Sequence, residues 1–215
     1  MDRWATFDCY GTLIDWRTGI SRGLADLWPN ESRERLLADY HAIEPRVQAE
    51  RHLHYREVMR RATEAIAVVE GLRVPAGREE ALAESLPDWP PFDDVAPALE
   101  AMRADGWKLA ILSNTDPDLL AASVAAMGVG FDLLITAAEA GSYKPAPGHW
   151  QRFRATVGET MRQVHVAASM FHDVEPCAKL GIECVWVNRL RATSDVPRLV
   201  EIPDLTDLPK VLDSG

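Results

Sequence analysis

Residues 6–17 read TFDCYGTLIDWR, an apolar run that ends on a carboxylate, Asp8, with Gly11 and Thr12 close behind it. A carboxylate at the end of a buried strand is costly unless something holds it or needs it. Desolvated, positioned and ionised, such a group becomes a competent nucleophile; read alone, it is as readily a helix N-cap beyond a strand. Three later segments carry partners of suitable kinds. Ser113 and Asn114 follow the run KLAIL, Lys144 sits in SYKPAP, and Ser169 and Asp173 follow VHVA. A lysine beside Asp8 keeps that acid ionised by opposite charge. Thr12 and Ser113 are hydroxyls able to orient it, Asn114 has an amide to donate, and Asp173 is a second acid able to hold or activate a water. The plainer readings are a turn for Gly11 and Thr12, a loop and N-cap for residues 113–116, a solvated lysine, and a helix cap for Asp173.

For these groups to meet, the runs that carry them must be neighbouring strands. Residues 108–112, 133–136, 164–167 and 184–187 read as short buried strands, and helical stretches at 93–105, 117–127, 148–157 and 173–180 alternate with them, glycines 106, 128, 158 and 181 marking their ends. This alternation predicts an α/β fold built on a doubly wound parallel sheet, whose ligand crevice lies at the carboxyl ends of the strands. Residues Arg3 to Phe7 form a strand far from the others in sequence. Between them, residues 17–86 are rich in Arg, Glu, Ala and Leu at helical spacing, which predicts a helical subdomain inserted after the first strand. The expected division is a core of residues 1–15 and 88–215 and a helical cap subdomain of residues 16–87. The stiff stretch Pro87-Asp88-Trp89-Pro90-Pro91 suits a hinge at the return.

The net charge of −10 across 215 residues argues against nucleic acid or an acidic membrane as partner, since both need a basic face. Cys9, Cys177 and Cys184 form no CxxC pair and suggest neither a disulfide framework nor a zinc site. The start lacks a signal-peptide pattern, and the most apolar long stretch, 119–138, is interrupted by Gly128, Gly130 and Asp132. The expectation is a cytoplasmic protein with a small anionic substrate and no membrane partner, homodimerisation being the one assembly to test.

Four ordered segments, FDCYGTLIDW, ILSNTDPD, YKPAPGHW and HVAASMFHDVEPCAKLGI, resemble the four motifs of the haloacid dehalogenase superfamily over nearly the whole chain. The resemblance implies a Rossmann-like core with an aspartate nucleophile, Asp8, and a cap closing over it. It also implies a substrate site that includes Asn114, whose amide would meet a departing halide or the substrate. Phosphatases of that superfamily carry DxD in the first motif and GDSxxD in the fourth, with magnesium on the latter's first Asp. Here Tyr10 and Ala168 occupy those positions, and alanine cannot ligate a hard cation. The pattern D-x-Y-G-T is that of the L-2-haloacid dehalogenase branch, which uses no metal or other cofactor. The chain departs from that branch where a serine and an asparagine are expected, having Ala168 and Met170.

The resemblance thus implies a metal-independent hydrolase that turns a small 2-haloacid into a 2-hydroxy acid through an Asp8 ester. Its rivals are a magnesium-dependent phosphatase of the same superfamily and a ligand-binding protein without turnover. Asp8, Thr12, Ser113, Lys144 and Asp173 are the expected catalytic set. Tyr10 and Asn114 join them as substrate contacts, Tyr10 being also readable as core. In the cap, Arg46 is the candidate for a substrate carboxylate, with His41 nearby. His172 either lines the site or does nothing, His165 packs within its strand, and His52 and His54 fall on different faces of a helical segment, which speaks against a metal pair.

Overall fold

The computed structural model describes residues 2–50, Glu50 by its backbone alone, and residues 53–213. The expected apolar runs pair side by side because each is buried on both faces. β1 (Asp2–Phe7), β2 (Lys108–Ser113), β3 (Leu133–Thr136), β4 (Met161–Ala167), β5 (Glu183–Val187) and β6 (Val200–Ile202) form one parallel sheet. Its order is β3-β2-β1-β4-β5-β6. β1 is central, with Phe7 in register with Ile111 on one side and Val166 on the other. The strand order reverses there, so the ends of β1, β2 and β4 frame one crevice.

The twofold alternation of strand side chains divides the core. Ala5, Phe7, Leu109 and Ile111 join the larger apolar cluster, while Trp4, Ala110, Leu112, Trp150 and Trp186 belong to the second, on the opposite face. Helices α1 (Trp16–Leu27), α2 (Arg33–Glu50), α3 (Tyr55–Glu70) and α4 (Ala81–Ser85) lie between β1 and β2 in the chain and extend the larger cluster through Ile20, Leu24, Val58 and Leu82. Asp15 caps α1, accepting from Thr18 N at 3.1 Å and Thr18 Oγ1 at 2.6 Å. Gly19 lets α1 approach Trp89, for a Cβ there would stand 2.3 Å from the indole.

The stiff stretch at 87–91 begins inside a single 3-10 turn, Leu86–Asp88, and is extended from Trp89. The entry to the helical segment and its exit then run side by side: Asp15 N donates to Pro90 O at 2.8 Å and Phe92 N to Leu13 O at 3.0 Å. Beyond them follow α5 (Val95–Ala104), α6 (Pro117–Met127), α7 (Ala137–Ala140), α8 (Gly148–Val157), α9 (Glu175–Leu180) and α10 (Leu208–Asp213). The stretch expected as a helix from residue 173 instead starts as a π-turn, Met170–Val174. Three short elements escape the pattern reading: β6, α7, which a Thr136/Glu139 capping box starts, and α10. β4 begins at Met161, three residues before the apolar run, because Met161, Arg162 and Gln163 pair with β1 while only partly buried. Among the described residues no helix is long and apolar enough to cross a membrane.

Candidate active site

Asp8 follows β1 directly, and its backbone N–H continues the ladder to Val166 O at 3.1 Å. The chain then doubles back: Leu13 N donates to Cys9 O at 2.7 Å and Gly11 N to Ile14 O at 2.8 Å. Gly11 has φ +95, a left-handed value that favours glycine, and a Cβ there would lie 2.9 Å from Trp16 Nε1. The turn brings Thr12 back over Asp8. Its hydroxyl donates to Asp8 Oδ2 at 2.9 Å and accepts from Ala168 N at 2.8 Å, tying the first motif to the end of β4.

Lys144 supplies the opposite charge. Asn114 brackets its backbone, donating to Lys144 O at 3.0 Å and accepting from Lys144 N at 2.7 Å. The ammonium, 1 % exposed, donates to Asp8 Oδ1 at 2.9 Å and to Asp173 Oδ1 at 2.6 Å. Burial alone would pull the Lys144 pKa down; the carboxylates of Asp173 and Asp8 outweigh it and hold it above the ordinary value. Asp173 is fully buried, and desolvation pushes its carboxyl up. Lys144 and the bond from His165 overcome that and hold it well below the usual carboxylate range. His165 Nε2 lies 3.0 Å from the same Oδ1, while its Nδ1 lies 2.9 Å from Thr6 Oγ1. Because a carboxylate can only accept, the His165 proton toward Asp173 sits on Nε2. Asp173 Oδ1 thus takes two donors, and its Oδ2 is buried without a partner.

A cavity of about 600 Å³ opens over this group, with Asp8, Lys144 and Asp173 on the sheet side and Tyr40, His41 and Glu44 on the α2 side. The wall from α2 uses positions 40, 41, 44, 45 and 48, one face at helical spacing. Burial raises the Glu44 carboxyl to about 7, against hydrogen bonds from Tyr55 and Gln48 that favour its ionised form. Burial, and the neighbouring Arg17, hold His41 below the ordinary histidine value.

Of the expected residues, Asp8, Thr12, Lys144 and Asp173 meet in one hydrogen-bonded group. Ser113 lines the cavity, but its Oγ is buried without a partner and makes no bond to Asp8. Asn114 also lines the cavity, with its amide engaged on the Lys144 backbone. Tyr10 is wall and core together, its hydroxyl 3.1 Å from Ser123 Oγ and its ring stacked on Tyr55 at 6.5 Å. His172 lines the cavity with Nδ1 3.1 Å from Ser169 Oγ. Arg46 is the correction: it is exposed and off the α2 face that lines the cavity, whereas Arg17 of α1 lines it. His52 lies outside the described residues. His54 immediately precedes α3, where its Nδ1 is 3.3 Å from Asp116 Oδ1.

Two residues of the site carry signals that the strand-end rule alone overlooks. His165 is the one polar side chain within VHVA, and it points at Asp173 rather than merely packing. Arg189 follows β5 at the same sheet edge. It bonds Asp94 at 2.8 and 3.1 Å and Thr12 O at 2.9 Å, and lies 3.8 Å from the Phe92 ring centre. Its charge therefore serves to join the exit of the helical segment to the Thr12 turn.

Comparison with known proteins gives a family match over most of the chain. The model of haloacid dehalogenase-like hydrolases matches residues 3–181. An (S)-2-haloacid dehalogenase of Pseudomonas sp. (strain YL) is 26% identical over 191 residues, covering 85% of this chain and 81% of that protein. Haloacetate dehalogenase H-2 of Moraxella sp. (strain B) is 26% identical over 212 residues, covering 93% and 91%. The structure of L-2-haloacid dehalogenase from Xanthobacter autotrophicus with chloropropionic acid covalently bound matches with TM-score 0.84 at 23% identity over 99% of both chains. A HAD-hydrolase from Bacillus subtilis bound to magnesium gives the same TM-score, 0.84, at 17% identity over 99% of both chains. At these identities the structural likenesses establish the fold.

Proposed function

Because the chain belongs to the haloacid dehalogenase-like hydrolases, we propose that it converts a small 2-haloacid to a 2-hydroxy acid through an ester on Asp8, without a metal. The observation that carries this reading is the Lys144 ammonium, shared between Asp8 at 2.9 Å and Asp173 at 2.6 Å in a buried setting. A desolvated carboxylate whose charge is balanced by a fixed lysine is a usable nucleophile toward carbon. Magnesium fits these residues poorly. Ala168 brings no side-chain oxygen, Lys144 fills the space between the two carboxylates, and among the described residues no group of three His, Cys, Asp or Glu side chains is spaced to hold a metal ion.

In the proposed reaction an Asp8 oxygen attacks C2 of the substrate and the halide departs with the bonding pair. Water then attacks Cγ of the ester, the Cγ–O bond to the substrate breaks, and the hydroxy acid leaves with Asp8 regenerated. Thr12 and Lys144, one on each carboxylate oxygen, set the direction of attack. Arg17 and His41, on the opposite wall, are the groups suited to the substrate carboxylate, the role expected of Arg46, which does not line the cavity. Residues 16–87 act as a cap over a core of residues 1–15 and 88–215. The paired crossings at Asp15 and Pro90 suit a closure that shuts water out during the first step. The names of the Pseudomonas and Moraxella relatives, an (S)-2-haloacid dehalogenase and a haloacetate dehalogenase, support this substrate class.

The test is halide release from a panel of small 2-haloacids in the presence of chelator, run beside phosphate release from phosphomonoesters with magnesium. Halide release under chelator is the expected result. Phosphate release that requires magnesium, with no halide released from any haloacid, overturns the reading in favour of a phosphatase. Neither product would leave a ligand-binding protein.

A further inference from the structure

The second half of the proposed reaction needs a base, and Asp173 is badly suited to be one. Its Oδ1 already accepts from Lys144 and His165, and it is held far on the ionised side. Once Asp8 is esterified and uncharged, Lys144 is left to Asp173 alone, which weakens that base further. Its unpartnered Oδ2 can hold a water, but a carboxylate so stabilised accepts a proton poorly. Ala168 and Met170, at nearby positions of the same segment, offer no side-chain hydrogen-bond donor or strong acceptor of their own.

We propose, building on the dehalogenase reading above, that His172 is the general base for hydrolysis of the Asp8 ester and Ser169 is the residue that positions it. The π-turn at Met170–Val174 puts His172 beside Asp173 on the cavity wall. Ser169 Oγ accepts from His172 N at 3.1 Å and lies 3.1 Å from Nδ1, so the ring is held at one nitrogen. With the proton on Nδ1 donated to Ser169, Nε2 has its lone pair free, and among the described residues no protein group engages it. Burial lowers the His172 pKa; Asp173 and Asp8 pull it up and Lys144 pulls it down, and the outcome is below the ordinary value, an imidazole neutral at neutral pH.

Nε2 takes one proton from the water as its oxygen bonds to Cγ, and the imidazolium returns that proton to the departing alkoxide oxygen of the hydroxy acid when the Cγ–O bond breaks. The second water proton, left on the Asp8 carboxyl, passes to solvent and restores the ion pair with Lys144. No oxidant, reductant or further reactant is required.

The experiment is a single turnover of 2-chloropropionate with enzyme in excess, following chloride, lactate and the mass of the peptide that contains Asp8, in wild type, His172→Gln and Ser169→Ala. The expected result for His172→Gln is a chloride burst within a few-fold of wild type, lactate formation slower by about 100-fold or more, and a persistent 1-carboxyethyl ester on the Asp8 peptide. Ser169→Ala should slow the same step by a smaller factor. A residue of purely structural importance would not separate chloride from lactate, and the burst itself reports a folded site. Lactate formed at the wild-type rate by His172→Gln overturns the base assignment while leaving the dehalogenase reading in place. So does parallel loss of chloride and lactate in both variants. Absence of chloride release by the wild type defeats the dehalogenase reading and this proposal with it.

Discussion

The carboxylate of Asp116 caps a helix that begins sixty-odd residues before it: Oδ1 accepts from Tyr55 N at 3.0 Å and Oδ2 from Arg56 N at 3.0 Å. Asp116 opens α6 in the sequence yet makes no side-chain cap there, and α3 has no cap from its own His54. The acid therefore satisfies orphan N–H groups of α3 from across the boundary between the sheet and the inserted helices. Asp116→Ala should cost about 1–2 kcal/mol of stability, the usual size of a lost N-cap, measured by urea denaturation. If the helices move as a cap, the same variant should also raise KM for the haloacid. Unchanged stability would mean that water replaces the carboxylate at no cost.

Lys144→Met removes the ammonium that bridges two buried carboxylates, Asp8 and Asp173. Turnover should vanish, and stability at neutral pH should fall by about 3–5 kcal/mol, since Asp173 would be left charged and buried with the bond from His165 but no ammonium beside it. The pH dependence gives the sign. The depressed pKa of Asp173 contributes stability present above its unfolded value and lost as pH falls through the folded one, and the raised pKa of Lys144 contributes stability present below its unfolded value and lost as pH rises through the folded one. Wild type should thus have a stability plateau between those limits that the variant lacks, as read from urea midpoints across the pH range. Near-normal turnover in the variant at neutral pH would rule out the role given to Lys144.

Glu44 is a carboxyl whose folded pKa stands above its unfolded value, raised from 4.5 to about 7. Its sign is the reverse of that of Asp173: it costs nothing below the unfolded value, and the penalty grows as pH rises to 7 and stays above it. Glu44→Gln keeps the shape and removes the ionisation. The variant should match wild type in unfolding free energy at pH 4 and exceed it at pH 8, by about 1–2 kcal/mol after allowance for partial exposure, as read from urea midpoints. An equal difference at both pH values would show that the carboxyl ionises freely in the fold.

Isotope placement tests the proposed nucleophile without a mutation. In a single turnover in heavy-oxygen water, solvent oxygen should enter the Asp8 carboxyl and the hydroxy acid should carry none. The displacement at carbon should invert configuration, an L-2-haloacid giving a D-2-hydroxy acid. Label in the hydroxy acid after that one turnover would mean that water attacked carbon directly, with Asp8 at most a general base.

The strands of the central sheet were legible because a strand covered on both faces is mostly apolar, and the LAIL of KLAIL and the LLI of LLIT show that without help from context. β6 and the first three residues of β4 were not: at a sheet edge or a strand start, pairing depends on the neighbour, and side chains such as Arg162 and Glu201 remain partly or fully exposed. The glycine stops were equally readable, with α6, α8 and α9 each ending at the glycine that marked them.

Within the site, Asp8, Thr12, Lys144 and Asp173 could be named from sequence because each is a polar residue beside an apolar run or within an ordered motif, and such residues need a reason. Which of them touch depends on how the strands and turns pack. Register brings Thr6 beside His165 and so turns a histidine that looked like strand packing toward Asp173. Ser113, equally well placed by sequence, ends with its hydroxyl unpaired. The misreading of Arg46 has the clearest physical cause. A helix announces its buried face through apolar periodicity, but the face of α2 toward the cavity carries His41, Glu44 and Gln48, as polar as the face toward solvent. Periodicity distinguishes apolar from polar, not one polar face from another. The rotation of α2 about its axis, and with it the choice of cavity-lining groups, is therefore settled by packing against α1 and α3.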